Sequence, residues 1–242
     1  REAALKDDVA WDITEGLTTE VGPRPAGTAQ EALARDWSVA KLKALGFSNV
    51  RAEPYKMPVW QRVRDEAHIV SPFPQNLVVA ALGNSGSTPE AGIEGEIVYF
   101  PTIADLLAAP DGSLKGKIAF VSHEMKAAQD GSGYGYYGAA RRQGPSVAAK
   151  KGAIAILVKS IGTDHHRIAH TGVQMWAEGV TPIPAVALSV PDAEQLARVA
   201  ARGKPVRLHL TAVSKRLKDQ PSGNVIAEIP GTDPKAGLVV AA

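Results

Sequence analysis

The densest group of chemistry-bearing side chains is Asp164, His165, His166 and His170. Imidazoles four residues apart share one side of a helix and could share a metal ion. Gly162 and Thr163 precede the group and Thr171-Gly172 follow it, so the flanks argue against a helix, and a solvated or hydrogen-bonded loop is the competing reading. His68, His123 and His209 fall on apparent strands and read as ordinary, partly exposed residues. Gly133, Gly135 and Gly138 spell G-x-G-x-x-G, the dinucleotide fingerprint. That motif works only where a strand runs directly into the glycine turn and a helix N-terminus faces the pyrophosphate. Here Val121 lies well upstream and Tyr134, Tyr136 and Tyr137 crowd the turn, so a Tyr/Gly loop that packs or touches a substrate is the better reading. No G-x-S-x-G elbow occurs, which removes the support for a serine nucleophile. Arg141 and Arg142 beside the tyrosines either grip a carboxylate in a two-pronged pairing or are simply solvated. Arg24, between Pro23 and Pro25, sits on stiff backbone and suits a substrate contact or a structural ion pair equally.

Composition narrows the classes further. The 242 residues carry 27 Lys and Arg against 25 Asp and Glu, 45% are apolar, and none is Cys. Such an apolar fraction supports a real core, and the near-cancelling, interspersed charge offers no field for nucleic acid or an anionic membrane surface. Without cysteine there is no disulfide, no thiolate-bound zinc, no iron–sulfur cluster and no thiol nucleophile; a metal would need His and carboxylates. The longest apolar runs, Leu77 to Leu82 and Ala153 to Val158, fall far short of the roughly 20 residues a membrane helix needs. Starting at Arg1 without Met, the sequence reads as a processed or trimmed chain.

Elements must position these residues. Leu5, Val9, Ile13 and Leu17 make one helical stripe, which stops at the Pro/Gly run of residues 21–27. Thr28 and Glu31 form the capping-box pair of a second helix that ends at Gly46. Val50 to Pro72 reads as short alternating β pieces. Strands are predicted at Asn76 to Leu82, Ile93 to Phe100, Lys117 to Ser122, Ala153 to Ser160, Ile183 to Ser189 and Val206 to Val213. Helices are predicted at Ser146 to Lys151 and Asp192 to Arg202. After a junction at residues 220–223, Asn224 to Ile229 and Gly237 to Ala242 read as two more strands; the last ends inside an apolar run, as if the chain were cut short.

Residues 21–28 (VGPRPAGT), 42–50 (LKALGFSNV), 148–160 (AAKKGAIAILVKS), 170–174 (HTGVQ), 183–193 (IPAVALSVPDA) and 222–242 (SGNVIAEIPGTDPKAGLVVAA) resemble the co-catalytic zinc exopeptidases, a family that includes bacterial aminopeptidases and the carboxypeptidase Q branch. The resemblance implies an α/β fold in which residues 1–72 and 217–242 belong to the peptidase domain and residues 73–216 form an inserted, β-rich protease-associated domain. It implies two zinc ions sharing a bridging carboxylate and an activated water, a Glu as general base, and an inserted domain that helps select the substrate. In the family the strand matching Gly237 to Ala242 leads into a His-x-Asp motif with the first metal ligands, and this sequence stops before it. Neither catalytic residues nor zinc ligands are therefore expected among these residues, and the fragment alone is expected to bind no zinc and to be inactive. Peptide or dipeptide substrates, a homodimer and a periplasmic or secreted location follow from the same resemblance. Candidate substrate contacts are His170 and Thr171, with Tyr134 and Arg24 behind them. The competing reading is a non-catalytic protease-associated module acting as a substrate lid or interaction surface.

Overall fold

The computed structural model describes residues 2–3, 5–233 and 235. The chain divides into two compact units, Arg1–Gln61 with Arg216–Ala242, and Arg62–Lys215. It passes between them inside two long strands, β1 (Ser48–Ser71) and, near the end of the chain, a strand at Arg207–Glu228.

In the first unit, helix α1 spans Val9–Gly16 and runs into one π-helical stretch, Leu17–Val21, before α2 (Ala29–Ala44). The Asp7 carboxylate accepts the Val9 N–H at 2.7 Å, which starts α1 after Leu5 rather than at it. Between the helices, Gly22 and Gly27 sit at φ +76° and +75°, a left-handed backbone that glycine adopts without a Cβ penalty. Thr28 accepts the Glu31 N–H at 3.3 Å, but the Glu31 carboxylate reaches the Gly27 N–H at 3.2 Å, so the capping box is half made. Arg35, four residues on, shares that carboxylate. Little of this unit is buried: Leu5, Trp11 and Leu33 are exposed, and Ala34 and Val59 are its buried hydrophobic residues among those described.

The second unit contains β2 (Gln75–Leu77), β3 (Val79–Ala81), β4 (Ile93–Phe100), α3 (Ile103–Ala108), β5 (Ile118–Val121), α4 (Gly133–Tyr137), α5 (Ala139–Lys150), β6 (Ala155–Lys159), β7 (Ala185–Leu188) and α6 (Val190–Ala200). The strand at Arg207–Glu228 is β8, and the described strands join in the order β2-β1-β8-β4-β5-β6-β7-β3. Strands β4 to β7 are parallel, and β3 closes on β7 antiparallel, Val79 facing Leu188. Every residue of β5, β6 and β7 is buried, as a parallel sheet covered on both faces requires. Leu82, Phe100, Leu106, Val121, Ala148 and Ile156 belong to the core beside that sheet. The whole is the mixed α/β class implied by the sequence.

Several expected elements change. The stretch expected as pieces over residues 50–72 is one strand, β1, ending at Ser71, and the two strands expected on either side of residues 220–223 are one, β8. The apolar run of residues 76–82 serves two strands with different partners, β2 on β1 and β3 on β7. The short helix expected from Ser146 begins at Ala139 and carries Pro145 inside it. The strand expected at residues 237–242 lies outside the described residues.

Candidate functional site

Three of the four candidate contacts meet in the second unit. The long connection between β6 and β7 carries His170 and Thr171, and α4 carries Tyr134. Tyr134 Oη lies 2.7 Å from His170 Nε2 and accepts a hydrogen bond from Arg141 Nη1 at 3.1 Å. A hydroxyl offers one proton and two acceptor positions. With Arg141 fixed as donor, the phenol proton is left for Nε2, so Tyr134 donates to it; Arg141 Nε stays buried without a partner among the described residues. His170 then carries its proton on Nδ1, which has no partner among the described residues and belongs to an exposed side chain. The Arg141 guanidinium lies 5.7 Å from the Tyr134 ring centroid and also donates to the Thr171 carbonyl at 3.3 Å.

Backbone geometry makes room for that guanidinium. A Cβ on Gly172 would meet Arg141 Cζ at 2.6 Å and Nε at 2.7 Å, so only glycine lets the arginine lie flat against the loop. The loop itself is held as an extra, bridge-like pairing: the Gly83 N–H donates to Gly172 O at 2.8 Å, and the Gln174 N–H to Gly83 O at 2.7 Å. Ser160, just past β6, accepts the His170 N–H at 2.8 Å. Arg62 adds a side-chain tether, donating through Nε to Ala81 O at 2.7 Å and through Nη2 to Thr171 Oγ1 at 3.2 Å.

Asp65 stands beneath this tether, 3.9 Å from Arg62 Nε, and accepts the Ala81 N–H at 2.7 Å. Burial pushes its carboxyl upward, against the lowering pull of the Ala81 hydrogen bond and of Arg62. The exposed side of the cluster thus presents the His170 imidazole N–H, on a loop fixed at both ends, beside the half-buried Arg141 guanidinium of α5. Such a pair of donors suits a carboxylate or a carbonyl oxygen.

Arg24 belongs to the first unit. Its Nη1 donates to Leu17 O at 3.2 Å and to Gly22 O at 2.9 Å, the carbonyls of the first residue of the π-helical stretch and of the residue that follows it. Arg142 donates to Gly135 O at 2.8 Å and ties α4 to α5. The three glycines of the fingerprint motif fall in and after α4, a five-residue helix, with β5 ending at Val121. Asp164, His165 and His166 lie on the irregular stretch before His170. The Asp164 carboxylate is occupied by the His166 N–H at 3.0 Å, and His170 Nε2 is occupied by Tyr134. No cluster of three or more His, Cys, Asp or Glu suited to a metal ion occurs among the described residues. This donor set therefore does not fit a zinc centre. Arg62 has no sequence signal, since it is one charge among many on β1; Gly172 inside HTGVQ was the legible hint.

No family model matches the chain. Carboxypeptidase Q of Bos taurus is 33% identical over 220 residues, covering 89% of this chain and 44% of that protein. The crystal structure of a Peptidase M28 precursor from Shewanella amazonensis SB2B superposes with a TM-score of 0.89 at 48% identity, covering 96% of this chain and 52% of that one. A zinc aminopeptidase from Bacillus subtilis shares the fold, with a TM-score of 0.62 at 19% identity over 94% of this chain and 48% of its own. The chain spans about half the length of the relatives it matches. Over that span the likeness to carboxypeptidase Q and to the Peptidase M28 precursor supports the co-catalytic zinc exopeptidase family. Within the family it is similar to carboxypeptidase Q and to the Shewanella peptidase.

Proposed function

We propose that these residues are part of an exported, zinc-dependent exopeptidase that hydrolyses peptide bonds at the ends of peptides or dipeptides. The observation that carries the reading is the 48% identity to the Shewanella peptidase across 96% of this chain. In this reading residues 73–216, which make up most of the second unit, are an inserted protease-associated domain, and the Arg141–Tyr134–His170 cluster holds a substrate carboxylate or terminal carbonyl while the chemistry proceeds elsewhere. Zinc, which the described residues would not hold, would supply polarisation of the scissile carbonyl and activation of a water in the intact protein. The sparse burial of the first unit supports further polypeptide covering the exposed faces around Trp11 and Leu33. A homodimer and a periplasmic or secreted location rest on the likeness to carboxypeptidase Q.

The test is hydrolysis of a dipeptide panel by the intact protein, with and without a zinc chelator. Turnover that the chelator abolishes and zinc restores is expected; failure to cleave any peptide from either end overturns the proposal. The 242 residues alone are expected to show no turnover and no stoichiometric zinc by elemental analysis. If they nevertheless bind peptide carboxylates, the second reading, a binding module acting as substrate lid, describes what this part contributes.

A further inference from the structure

The residue that the cluster leaves unexplained is His123. It follows β5 by two positions, is 5% exposed, and is not the partly exposed strand histidine its sequence context suggests. Neither Nδ1 nor Nε2 has a hydrogen-bond partner among the described residues. Buried polar atoms in native proteins are almost always satisfied, so an imidazole with both nitrogens unmet asks for a missing partner. Burial, and then the nearby Lys159 ammonium, pull its pKa down to about 4, so at neutral pH the ring is uncharged, with one donor and one acceptor.

Beside it lies a cavity of about 620 Å³, a size that suits a small-molecule or side-chain site. It opens at the carboxyl ends of β4 and β5, where Phe100 pairs with Val121 and where open α/β sheets hold their ligands. Its walls are aromatic and aliphatic: Tyr99, Tyr136, Tyr137 and Ile103 line it with His123. Tyr137 stacks on the imidazole at 5.5 Å and 29°, and Tyr136 meets Tyr137 edge-on at 5.2 Å. No Lys or Arg lines the cavity and Glu124 does, which disfavours an anionic guest. Aromatic walls favour an aromatic guest, and a neutral imidazole carries one donor and one acceptor nitrogen pointing apart, either of which a single hydroxyl can meet. A phenol meets both demands.

We propose that this cavity binds a neutral phenolic ring, its ring lying among the three tyrosines and its hydroxyl meeting one of the two His123 nitrogens, both of which stay covered until a neighbouring side chain gives way. The inference is independent of the peptidase reading, since it rests on the cavity and the orphaned imidazole. The phenol can belong to a free small molecule or to a tyrosine side chain of a peptide.

The experiment follows the ring signals of isotope-labelled histidine in the intact protein during titration with 4-methylphenol, toluene, benzoate and N-acetyltyrosine amide. Saturable shifts of the His123 signals are expected, with 4-methylphenol bound about tenfold more tightly than toluene and benzoate bound weakest. His123→Phe should keep the ring stack and the toluene site while losing the preference for the phenol. Ala104→Phe, which leaves His123 intact and fills the cavity from its rim, should block both guests. Binding of the tyrosine amide alongside 4-methylphenol identifies a peptide side chain as the guest; binding of 4-methylphenol alone identifies a small molecule. Equal affinity for toluene and 4-methylphenol, a preference that survives in His123→Phe, or no saturable shift at all overturns the proposal.

Discussion

Tyr134 Oη and His170 Nε2 lie 2.7 Å apart across 36 positions of sequence, and Arg141 donates to the same phenol oxygen. This chain of donors sets the imidazole tautomer and points an N–H outward. Tyr134→Phe should therefore leave the fold in place and free the imidazole. In the intact enzyme, KM is expected to rise about fivefold, for a loss of about 1 kcal/mol, with kcat little changed. Steady-state kinetics on a dipeptide substrate provide the check, and an unchanged KM removes the cluster from substrate binding.

Gly172→Ala tests the same cluster from the backbone side. The added methyl would sit 2.6 Å from Arg141 Cζ, a distance no packing tolerates, and the guanidinium must leave the loop. Its effect on KM should match or exceed that of Tyr134→Phe, because both lose the Arg141-to-phenol hydrogen bond. A Gly172→Ala enzyme with wild-type KM contradicts the assignment of Arg141.

Arg62 ties Thr171 to Ala81. Replacing it with Ala should loosen residues 170–174 without unfolding the sheet, since those side-chain bonds contribute about 1 to 3 kcal/mol each. Amide hydrogen exchange reads this directly: faster exchange at residues 170–174, with protection in β5 and β6 retained. Uniformly faster exchange would mean that Arg62 supports the whole unit instead.

His123 makes stability depend on acid. Folded, it binds its proton only near pH 4; unfolded, near its ordinary value of 6.5. Between these values the unfolded chain holds more protons, so this contribution is full above about pH 6.5 and is lost as the pH falls toward 4. The span corresponds to something on the order of 3 kcal/mol. Asp65 acts with the opposite sign, because its raised carboxyl pKa gives a contribution that is present at low pH and lost as the pH rises through the folded value. Urea unfolding at pH 7 and pH 4.5 should show a loss for the native chain that shrinks in His123→Phe. Equal losses in both would refute the buried, neutral histidine.

Strong periodic signals carried the fold furthest. Ile93–Phe100 falls where its alternating apolar residues place it, and β5, β6 and β7 lie inside their expected runs, because four or five consecutive buried residues leave little choice. Elements with both faces wet were harder to read. In β1 only Val59, Ala67 and Ile69 are buried hydrophobics among its 24 residues, so its continuity comes from neighbouring strands and not from its own pattern. Helix α5 was half hidden because Gly144 and Pro145, poor helix formers, are tolerated where the chain packs closely; Gly144 would place a Cβ 3.3 Å from Ile156. In the site, HTGVQ was visible through its resemblance to the family, and the tyrosine loop as unusual composition. Their meeting was not, because a contact across 36 positions depends on where the sheet puts two loops. Arg24, on its stiff flanking backbone, turns to local carbonyls, a contact that its sequence context did not reveal.

The closing of β3 onto β7 has a consequence for biosynthesis. Val79–Ala81 leaves the ribosome about a hundred residues before Ala185–Leu188, the strand that covers its edge. At roughly 5 to 20 residues per second that edge waits roughly 5 to 20 s for its neighbour. The parallel ladder from β4 to β6 can assemble meanwhile, since each strand docks on the one just made. A nascent chain arrested near residue 150 should therefore offer the apolar run 77–82 to a holdase chaperone, and one released past residue 200 should not.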